Sequence, residues 1–272
     1  MKHPTLNRLE RTFSHLRDKK RKALVIYLMA GDPDIAFTER IVPRLSEAGV
    51  DAVELGLPFS DPIADGPVIQ AAATRALHRF NGVSDFLAMV ARIRKATDLP
   101  IATMTYYNPI FRYGEAAFAK DAAAAGLDGV IIPDIPVDEA GDWPELCRAA
   151  GLSPILLEAP NTDDAHARAI AERAGGFIYM VSLKGVTGTD VGMGDNLAER
   201  VKRFRAHTQT PLIVGFGIST PAQAAQVGAI SDGVVIGSSV VSRIAGAPSA
   251  AAAEKTVLEY VKTLRVGLDS IQ

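Results

Sequence analysis

The sequence predicts a single (β/α)₈ barrel over residues 1–272, with an additional N-terminal helix and long loops after strands two and six. Eight short apolar runs without polar alternation recur along the chain, which is typical of parallel strands covered on both faces. Charged, alanine-rich segments of helical period separate them, and 272 residues suits one such barrel. A doubly wound open sheet is the alternative, but no GxGxxG follows the first run.

The first predicted element is the additional helix, whose apolar face is formed by Leu6, Leu9, Phe13 and Leu16. The basic run 17–22 and the apolar stretch 23–31 then resemble a secretory signal. However, the turn sequence GDPD follows the stretch where a signal has a small-residue cleavage site. The stretch is also too short to span a bilayer, so we expect it to be the first buried strand.

The predicted strands recur at multiples of about 25 residues. In chain order they are 24–30, 52–56, 100–107, 129–134, 153–159, 177–182, 211–217 and 233–239. Helices are expected to end in a glycine of positive φ before the next strand. These glycines are Gly49, Gly126, Gly151, Gly175 and Gly228. The text AGVDAVEL (48–55) recurs as AGLDGVII (125–132), with SDGVVI (231–236) as a shorter version, which indicates repeated units.

Two intervals between strands are longer than the others. The additional residues follow strand two, as GLPFSDPIADGP (56–67), and strand six, as SLKGVTGTDVGMGD (182–195). Barrel enzymes form their substrate-binding loops at the C-terminal ends of the strands. We therefore expect the functional site at this end of the barrel.

Composition argues against several classes of function. The chain has 29 Lys and Arg against 31 Asp and Glu, so its formal net charge of −2 gives no electrostatic footprint for nucleic acid or an acidic membrane. The single cysteine, Cys147, allows no internal disulfide and fits a reducing, cytoplasmic compartment. The five histidines have no metal-ligand spacing, so no metal is expected.

Glu54 lies near the C-terminal end of the second predicted strand. Side chains alternate along a strand, so Val53 and Leu55 share one face while Ala52 and Glu54 share the other. If the branched pair packs on the helices, Glu54 points into the mouth of the barrel, where desolvation raises the pKa of the carboxyl toward acid/base use. A structural ion pair, or a ligand to backbone amides, is the alternative.

Two aspartates, Asp61 and Asp65, follow on the loop FSDPIADGP, which its prolines stiffen. Each is either placed for chemistry or caps a turn, and the residues alone favour the turn. Asp134, at the end of strand four, is open in the same way, because its PDIP setting also suits a turn. Tyr179 lines either the mouth of the barrel or only its core.

Glycines end the seventh and eighth strands, in GFGIS (215–219) and GSSV (237–240). They let an anion approach bare backbone amides, and the N-terminus of the following helix favours negative charge. In barrels of this class these two strand ends are the usual phosphate site. Gly188, after strand six, would add another amide.

Five stretches of the chain form one set: ELGLPFSDPIADGP (54–67), MTYYNP (104–109), SLKGVTG (182–188), GFGIS (215–219) and GSSVV (237–241). Together they resemble the alpha subunit of tryptophan synthase, and the similarity covers nearly the whole chain. The resemblance implies a lyase of tryptophan biosynthesis, which cleaves indole-3-glycerol phosphate to indole and glyceraldehyde 3-phosphate. It implies no cofactor on this chain and an allosterically coupled beta subunit that carries pyridoxal phosphate, in an α₂β₂ heterotetramer.

The resemblance also assigns residues. Glu54 matches the acid/base glutamate of the family and Asp65 its second catalytic aspartate. The expected indole pocket consists of Tyr27, Tyr106, Leu157, Tyr179 and Phe216, with Thr187 helping to close a lid over it. The expected phosphate ligands are the amides of Gly188, Gly217, Gly237 and Ser238. The stretch SLKG has leucine directly after its serine, where many relatives have arginine, and this difference concerns the lid and not the chemistry.

The chemistry of this reaction accounts for the two acids. Indole C3 must be protonated before its bond to the glycerol chain breaks, and the positive charge then falls on N1. Asp65 would stabilise that charge, while Glu54 would give the proton and then accept one from the C3′ hydroxyl. The apolar neighbours Val53 and Leu55 are expected to favour the raised pKa of Glu54 that this requires.

Other interpretations remain open from sequence. The chain could act mainly as an allosteric binding partner with slight catalysis of its own, or as a stand-alone lyase that releases indole. The presence of both acids favours catalysis over pure regulation, because a regulator needs the phosphate site but not both carboxyls. Another phosphate-sugar barrel, such as an isomerase, leaves the stretch after strand two unexplained.

Overall fold

In the computed structural model, residues 6–182, 197–215 and 217–271 are described. Within them, eight parallel strands close into a barrel in which each strand pairs with the next and β8 pairs with β1. The strands β1 to β8 are Ala23–Met29, Ala52–Gly56, Ile101–Met104, Gly129–Ile131, Ser153–Glu158, Ile178–Val181, Leu212–Gly215 and Gly233–Ile236. The predicted fold class is therefore confirmed.

Twelve α-helices occur in the described ranges, and most of them form the outer layer of the barrel. The helices α1 to α12 are Arg8–Asp18, Ile35–Leu45, Pro67–Leu77, Val83–Arg94, Tyr107–Tyr113, Glu115–Ala125, Trp143–Ala150, Asp164–Arg173, Leu197–Arg205, Pro221–Ile230, Ser238–Ala245 and Ala250–Asp269. A short 3₁₀ helix, Ser46–Ala48, precedes β2. No described helix is both long and apolar enough to cross a membrane.

The strands separate two hydrophobic cores. Val25 and Tyr27 of β1 face the interior of the barrel, whereas Leu24 and Ile26 pack against the surrounding helices. On β2, Val53 and Leu55 lie in the outer core and Ala52 in the inner one. The alternation along β2 therefore turns Glu54 into the barrel, as the sequence predicts.

The predicted additional helix, α1, closes the N-terminal end of the barrel. Its residues Leu9, Phe13 and Leu16 are buried in the inner core, and the ring of Phe13 lies 5.5 Å from that of Phe177. Asn7 caps the helix and its amide donates to Oγ of Ser153 at the start of β5, 2.8 Å away. The assignment of Leu6 to the same face is wrong, because that side chain precedes α1 and is 50% exposed.

Three aspartates account for the recurring text at the starts of β2, β4 and β8. Asp51, Asp128 and Asp232 each accept a hydrogen bond, at 2.7–2.9 Å, from the first or second amide of the preceding strand. Each also binds arginine: Arg21 and Arg265 on Asp51, Arg8 and Arg94 on Asp128, and Arg205 on Asp232. The repeat therefore joins neighbouring strands at the end of the barrel opposite to the site.

The helix-ending glycines follow the prediction in part. Gly49, Gly126 and Gly151 have φ of 88°, 98° and 85°, and each ends a helix before a strand. The prediction is wrong for Gly175, because the left-handed residue is its neighbour Gly176. It is also wrong for Gly228, which lies inside α10, where a Cβ atom would come within 2.7 Å of Leu268 in α12.

The additional length after β2 is a loop followed by a helix. The loop spans residues 57–66, and α3 then packs on α11 and β1. Arg75 of α3 binds Asp32, which follows β1, through two hydrogen bonds of 2.9 and 2.8 Å. The long loop expected after strand two is therefore present with nearly its predicted bounds, and an anchored helix follows it. The long loop expected after β6, 182–195, lies outside the described residues apart from Ser182.

Candidate active site

An open cavity of about 1270 Å³ lies at the C-terminal end of the barrel, where the sequence predicts the site. Its floor is formed by side chains that end the inner face of the strands: Tyr27, Glu54, Met104, Ile131, Leu157, Tyr179 and Val235. Its walls come from the loops that follow the strands, including the loop that carries Asp65. The cavity is largely apolar, with Glu54 on its floor and the carboxyls of Asp65, Asp134 and Asp163 on its walls.

Glu54 is buried on the floor, and its Oε2 has no hydrogen-bond partner among the described residues. Burial, and then the negative charge of Asp65, raise its pKa from 4.5 to about 8. The expectation that Val53 and Leu55 provide this environment is wrong, because both face the outer helices. The strand neighbours of Glu54 are Tyr27 on β1 and Ala102 on β3.

Asp65 lies on the loop between β2 and α3 and is half-buried. Its Oδ2 accepts a hydrogen bond of 3.0 Å from the hydroxyl of Tyr106, and that hydroxyl accepts one of 3.0 Å from the amide of Ala64. Burial raises the pKa of Asp65 to about 6, against the opposing effect of Tyr106. Asp61, four residues earlier, is exposed and its carboxylate contacts Ser60 on the same loop. The two aspartates therefore differ, and only Asp65 faces the cavity.

Two phenols stand beside Glu54 inside the barrel. Tyr27 and Tyr179 are buried, and burial together with the two carboxyls raises the pKa of each phenol well above its usual value. Both therefore remain neutral at physiological pH. Room for them comes from Gly56 and Gly215, since a Cβ atom at either position would collide with a tyrosine hydroxyl. The local sequence pattern does not predict this role of the two strand-ending glycines.

The opposite side of the cavity is formed by the loops after β7 and β8. Gly217, Gly237 and Ser238, which are predicted phosphate ligands, line this side, and Gly217 has a φ of 75° that favours glycine. Ser219, Ser239 and Ser242 also line it, and the sequence analysis did not single them out. No lysine or arginine lines the cavity in the described part of the chain. Among the described residues of this side, the groups that could hold an anion are backbone amides and hydroxyls.

The remaining residues that the sequence singles out are Asp134, Cys147 and three positions outside the described residues. Asp134 borders the cavity, but its Oδ1 accepts from the amide of Tyr107, 2.9 Å away, at the start of α5. Cys147 is buried within α7, where burial raises the pKa of its thiol. The predictions on Thr187, Gly188 and Phe216 fall outside the described residues.

His166 is the one histidine found on the cavity wall of the described chain. Its ring nitrogens lie 2.7 Å from Asp163 and 2.7 Å from Asp138, and the bond to Asp163 is the largest cause that raises its pKa. The described residues contain no group of three histidine, cysteine, aspartate or glutamate side chains suited to a metal ion.

A family model, a sequence relative and a solved structure all match this chain and belong to the same family. The family model "Tryptophan synthase alpha chain" matches residues 13–268. The tryptophan synthase alpha chain of Geobacter sulfurreducens is 45% identical over 260 residues, which cover 96% of this chain and 98% of the relative. The crystal structure of tryptophan synthase subunit alpha from Legionella pneumophila has a TM-score of 0.90 at 37% identity, covering 98% of this chain and 100% of that one.

Proposed function

Because the chain belongs to the tryptophan synthase alpha chain family, we propose that Glu54 and Asp65 perform the reaction of that family in this protein. The reaction is the lyase step of tryptophan biosynthesis, which cleaves indole-3-glycerol phosphate to indole and glyceraldehyde 3-phosphate. One observation supports the assignment most strongly. The two carboxyls share one cavity, and their pKa values of about 8 and about 6 lie on opposite sides of neutrality.

At pH 7 this separation leaves most Glu54 side chains protonated and most Asp65 side chains ionised. Protonated Glu54 gives its proton to indole C3, and the positive charge that forms on N1 is stabilised by ionised Asp65. Glu54 then takes the proton of the C3′ hydroxyl. As that oxygen forms the aldehyde, the electron pair of the C3–C3′ bond returns to the ring and releases indole. Glu54 ends the cycle protonated, as it began.

The surrounding residues hold the two ends of the substrate. Tyr27, Leu157 and Tyr179 are proposed to pack against the indole ring, and Tyr106 keeps the Asp65 carboxylate in place through its hydrogen bond. The phosphate is proposed to bind at the other side, on the amides of Gly217, Gly237 and Ser238.

Three further ligands, Thr187, Gly188 and Phe216, remain predictions outside the described residues. The scheme as proposed needs only proton transfer and charge stabilisation from this chain.

The partner is proposed to be a beta subunit that carries pyridoxal phosphate and forms an α₂β₂ heterotetramer with this chain. Two exposed large apolar side chains, on the segments that follow β2 and β3, are the proposed contacts. Ile63 is 80% exposed and lies on the loop that carries Asp65. Phe111 is 64% exposed and lies on α5, the helix that begins directly after Tyr106. A cytoplasmic location fits the single, reduced cysteine.

The purified chain, mixed with indole-3-glycerol phosphate and assayed for indole with and without a beta subunit, tests this proposal. We expect slow release alone and faster release with the partner. Phe111→Ser and Ile63→Ser should weaken association and leave the turnover of the isolated chain unchanged. Val266→Ser is the control, because this residue is 70% exposed on α12. If the Phe111→Ser and Ile63→Ser variants both associate as strongly as the wild type, the proposed contact is excluded. Absence of indole would exclude the lyase assignment.

A further inference from the structure

A hydrogen-bonded brace joins the two loops that form the proposed phosphate side of the cavity. Tyr260 of the C-terminal helix α12 is buried, and its hydroxyl oxygen lies 2.9 Å from the carbonyl oxygen of Ser219. The same hydroxyl lies 2.8 Å from Oγ of Ser239. Ser219 follows β7 and Ser239 lies in the first turn of α11 after β8, and both line the cavity. One side chain from outside the cavity therefore contacts both loops.

The directions of these two hydrogen bonds follow from the protons available. A phenol has one proton, and a carbonyl oxygen can only accept. Tyr260 therefore donates to Ser219, and the hydroxyl of Ser239 must donate to the phenol oxygen. All three groups are satisfied in this arrangement. Removal of the phenol hydroxyl would leave both loops without their shared partner.

Arg243 fixes the phenol ring in this position. Its guanidinium carbon lies 3.5 Å from the centre of the Tyr260 ring, and its Nη1 donates to the carbonyl oxygen of Ser239 at 2.7 Å. The positive charge of Arg243 therefore makes a cation–π contact with the ring of Tyr260. The described residues on this side of the cavity offer an anion backbone amides and hydroxyls, whose positions affect how well it binds.

We propose that Tyr260 is a positioning residue, which sets the spacing of the Gly217 and Ser238 loops for the substrate phosphate. The inference rests on the proposed phosphate site. Tyr260 acts through Ser219 and Ser239, so it affects binding of the phosphate and not the chemistry at Glu54 and Asp65.

Tyr260→Phe in the full-length chain tests the proposal. Loss of the two hydrogen bonds should raise KM for indole-3-glycerol phosphate roughly ten-fold. Competitive inhibition by inorganic phosphate should weaken by a similar factor, while kcat stays within about two-fold of the wild type. The kcat/KM for indoleglycerol, which lacks the phosphate, should not change. Tyr113→Phe is the matched control, since it removes a hydroxyl that donates to Asp121 on α6.

A second variant separates this inference from the phosphate site itself. Ser238→Asp places a negative charge at the first residue of α11, where a helix tolerates an acid but a bound phosphate is repelled. If Ser238→Asp retains normal phosphate inhibition, the proposed phosphate site is wrong. If Ser238→Asp loses that inhibition and Tyr260→Phe keeps a wild-type KM, the brace proposal alone is overturned.

An equal loss on the phosphate-free substrate would also overturn the brace proposal, because Tyr260 would then support the whole barrel. Should Tyr260→Phe fail to fold, Ser239→Ala gives the same test. It removes the hydroxyl donor and leaves the bond from Tyr260 to Ser219 in place. A smaller rise in KM, confined to the phosphate-bearing substrate, is expected, and an unchanged KM would contradict the proposal.

Discussion

Glu54→Gln separates proton transfer from every other contribution of this side chain. Glutamine has nearly the same volume, and the buried Oε2 of Glu54 has no partner to lose among the described residues. At a pKa of about 8, about nine-tenths of the wild-type molecules carry the reactive proton at pH 7. Glutamine can neither give that proton nor accept one. Since one general acid or base step contributes roughly 10²–10⁴-fold, we expect kcat to fall by at least about 10² while KM is retained.

Stopped or continuous assay of indole release measures this effect, and binding of inorganic phosphate to the variant shows that the fold and the phosphate side are intact. The same substitution has a second consequence, for stability. The pKa of Glu54 is raised in the folded chain, so wild-type stability falls as pH rises from about 4.5 to about 8. The variant lacks that dependence.

A difference of one in pKa corresponds to about 1.4 kcal/mol, and the open cavity reduces the total effect. Above pH 8 we therefore expect the free energy of unfolding of the variant to exceed that of the wild type by a few kcal/mol. Retention of more than about a tenth of wild-type turnover would refute the assignment of Glu54, because one lost proton transfer already lowers the rate more than that.

Three further predictions follow from the same geometry. Asp65→Asn should lower kcat at least about ten-fold because an amide cannot stabilise the charge on N1, whereas Asp61→Asn on the same loop should leave the isolated chain unaffected; equal effects would contradict the distinction. The kcat/KM of the isolated chain should rise near pH 6 as Asp65 ionises and fall near pH 8 as Glu54 loses its proton, and a flat profile would contradict both assignments. Asp128→Asn should lower the free energy of unfolding in urea by roughly 3–5 kcal/mol with little change in KM, because two arginines lose a buried partner; a loss below about 1 kcal/mol would contradict this.

The positions of the strands were predictable because the apolar runs are local and continuous. The predicted strand 52–56 coincides with β2, whereas the predicted strand 100–107 ends early, at Met104. The reason is distant in sequence: the carboxylate of Asp134 accepts from the amide of Tyr107 and stabilises the start of α5. A contact of this kind leaves no trace in local periodicity.

In the candidate site too, local patterns were predictable from the sequence and contacts between distant residues were not. Alternation along β2 was sufficient to predict that Glu54 faces inward, but not what surrounds it. The phenols of Tyr27 and Tyr179 belong to other strands, and Gly56 and Gly215 give them room. Apart from the family resemblance, the residues of the loop do not distinguish Asp65 from Asp61. The structure does, because the hydroxyl of Tyr106, more than forty residues away, donates to Asp65 alone of the two.

The central claim is that Glu54 and Asp65 hold opposite protonation states at neutral pH. The most direct test is a ¹³C NMR titration of the side-chain carboxyl carbons in the isolated chain, with the two signals assigned by their loss in Glu54→Gln and Asp65→Asn. We expect Glu54 to titrate near pH 8 and Asp65 near pH 6, so that Glu54 is mostly neutral and Asp65 mostly ionised at pH 7. A Glu54 signal that titrates near 4.5, with both groups ionised at pH 7, would contradict it.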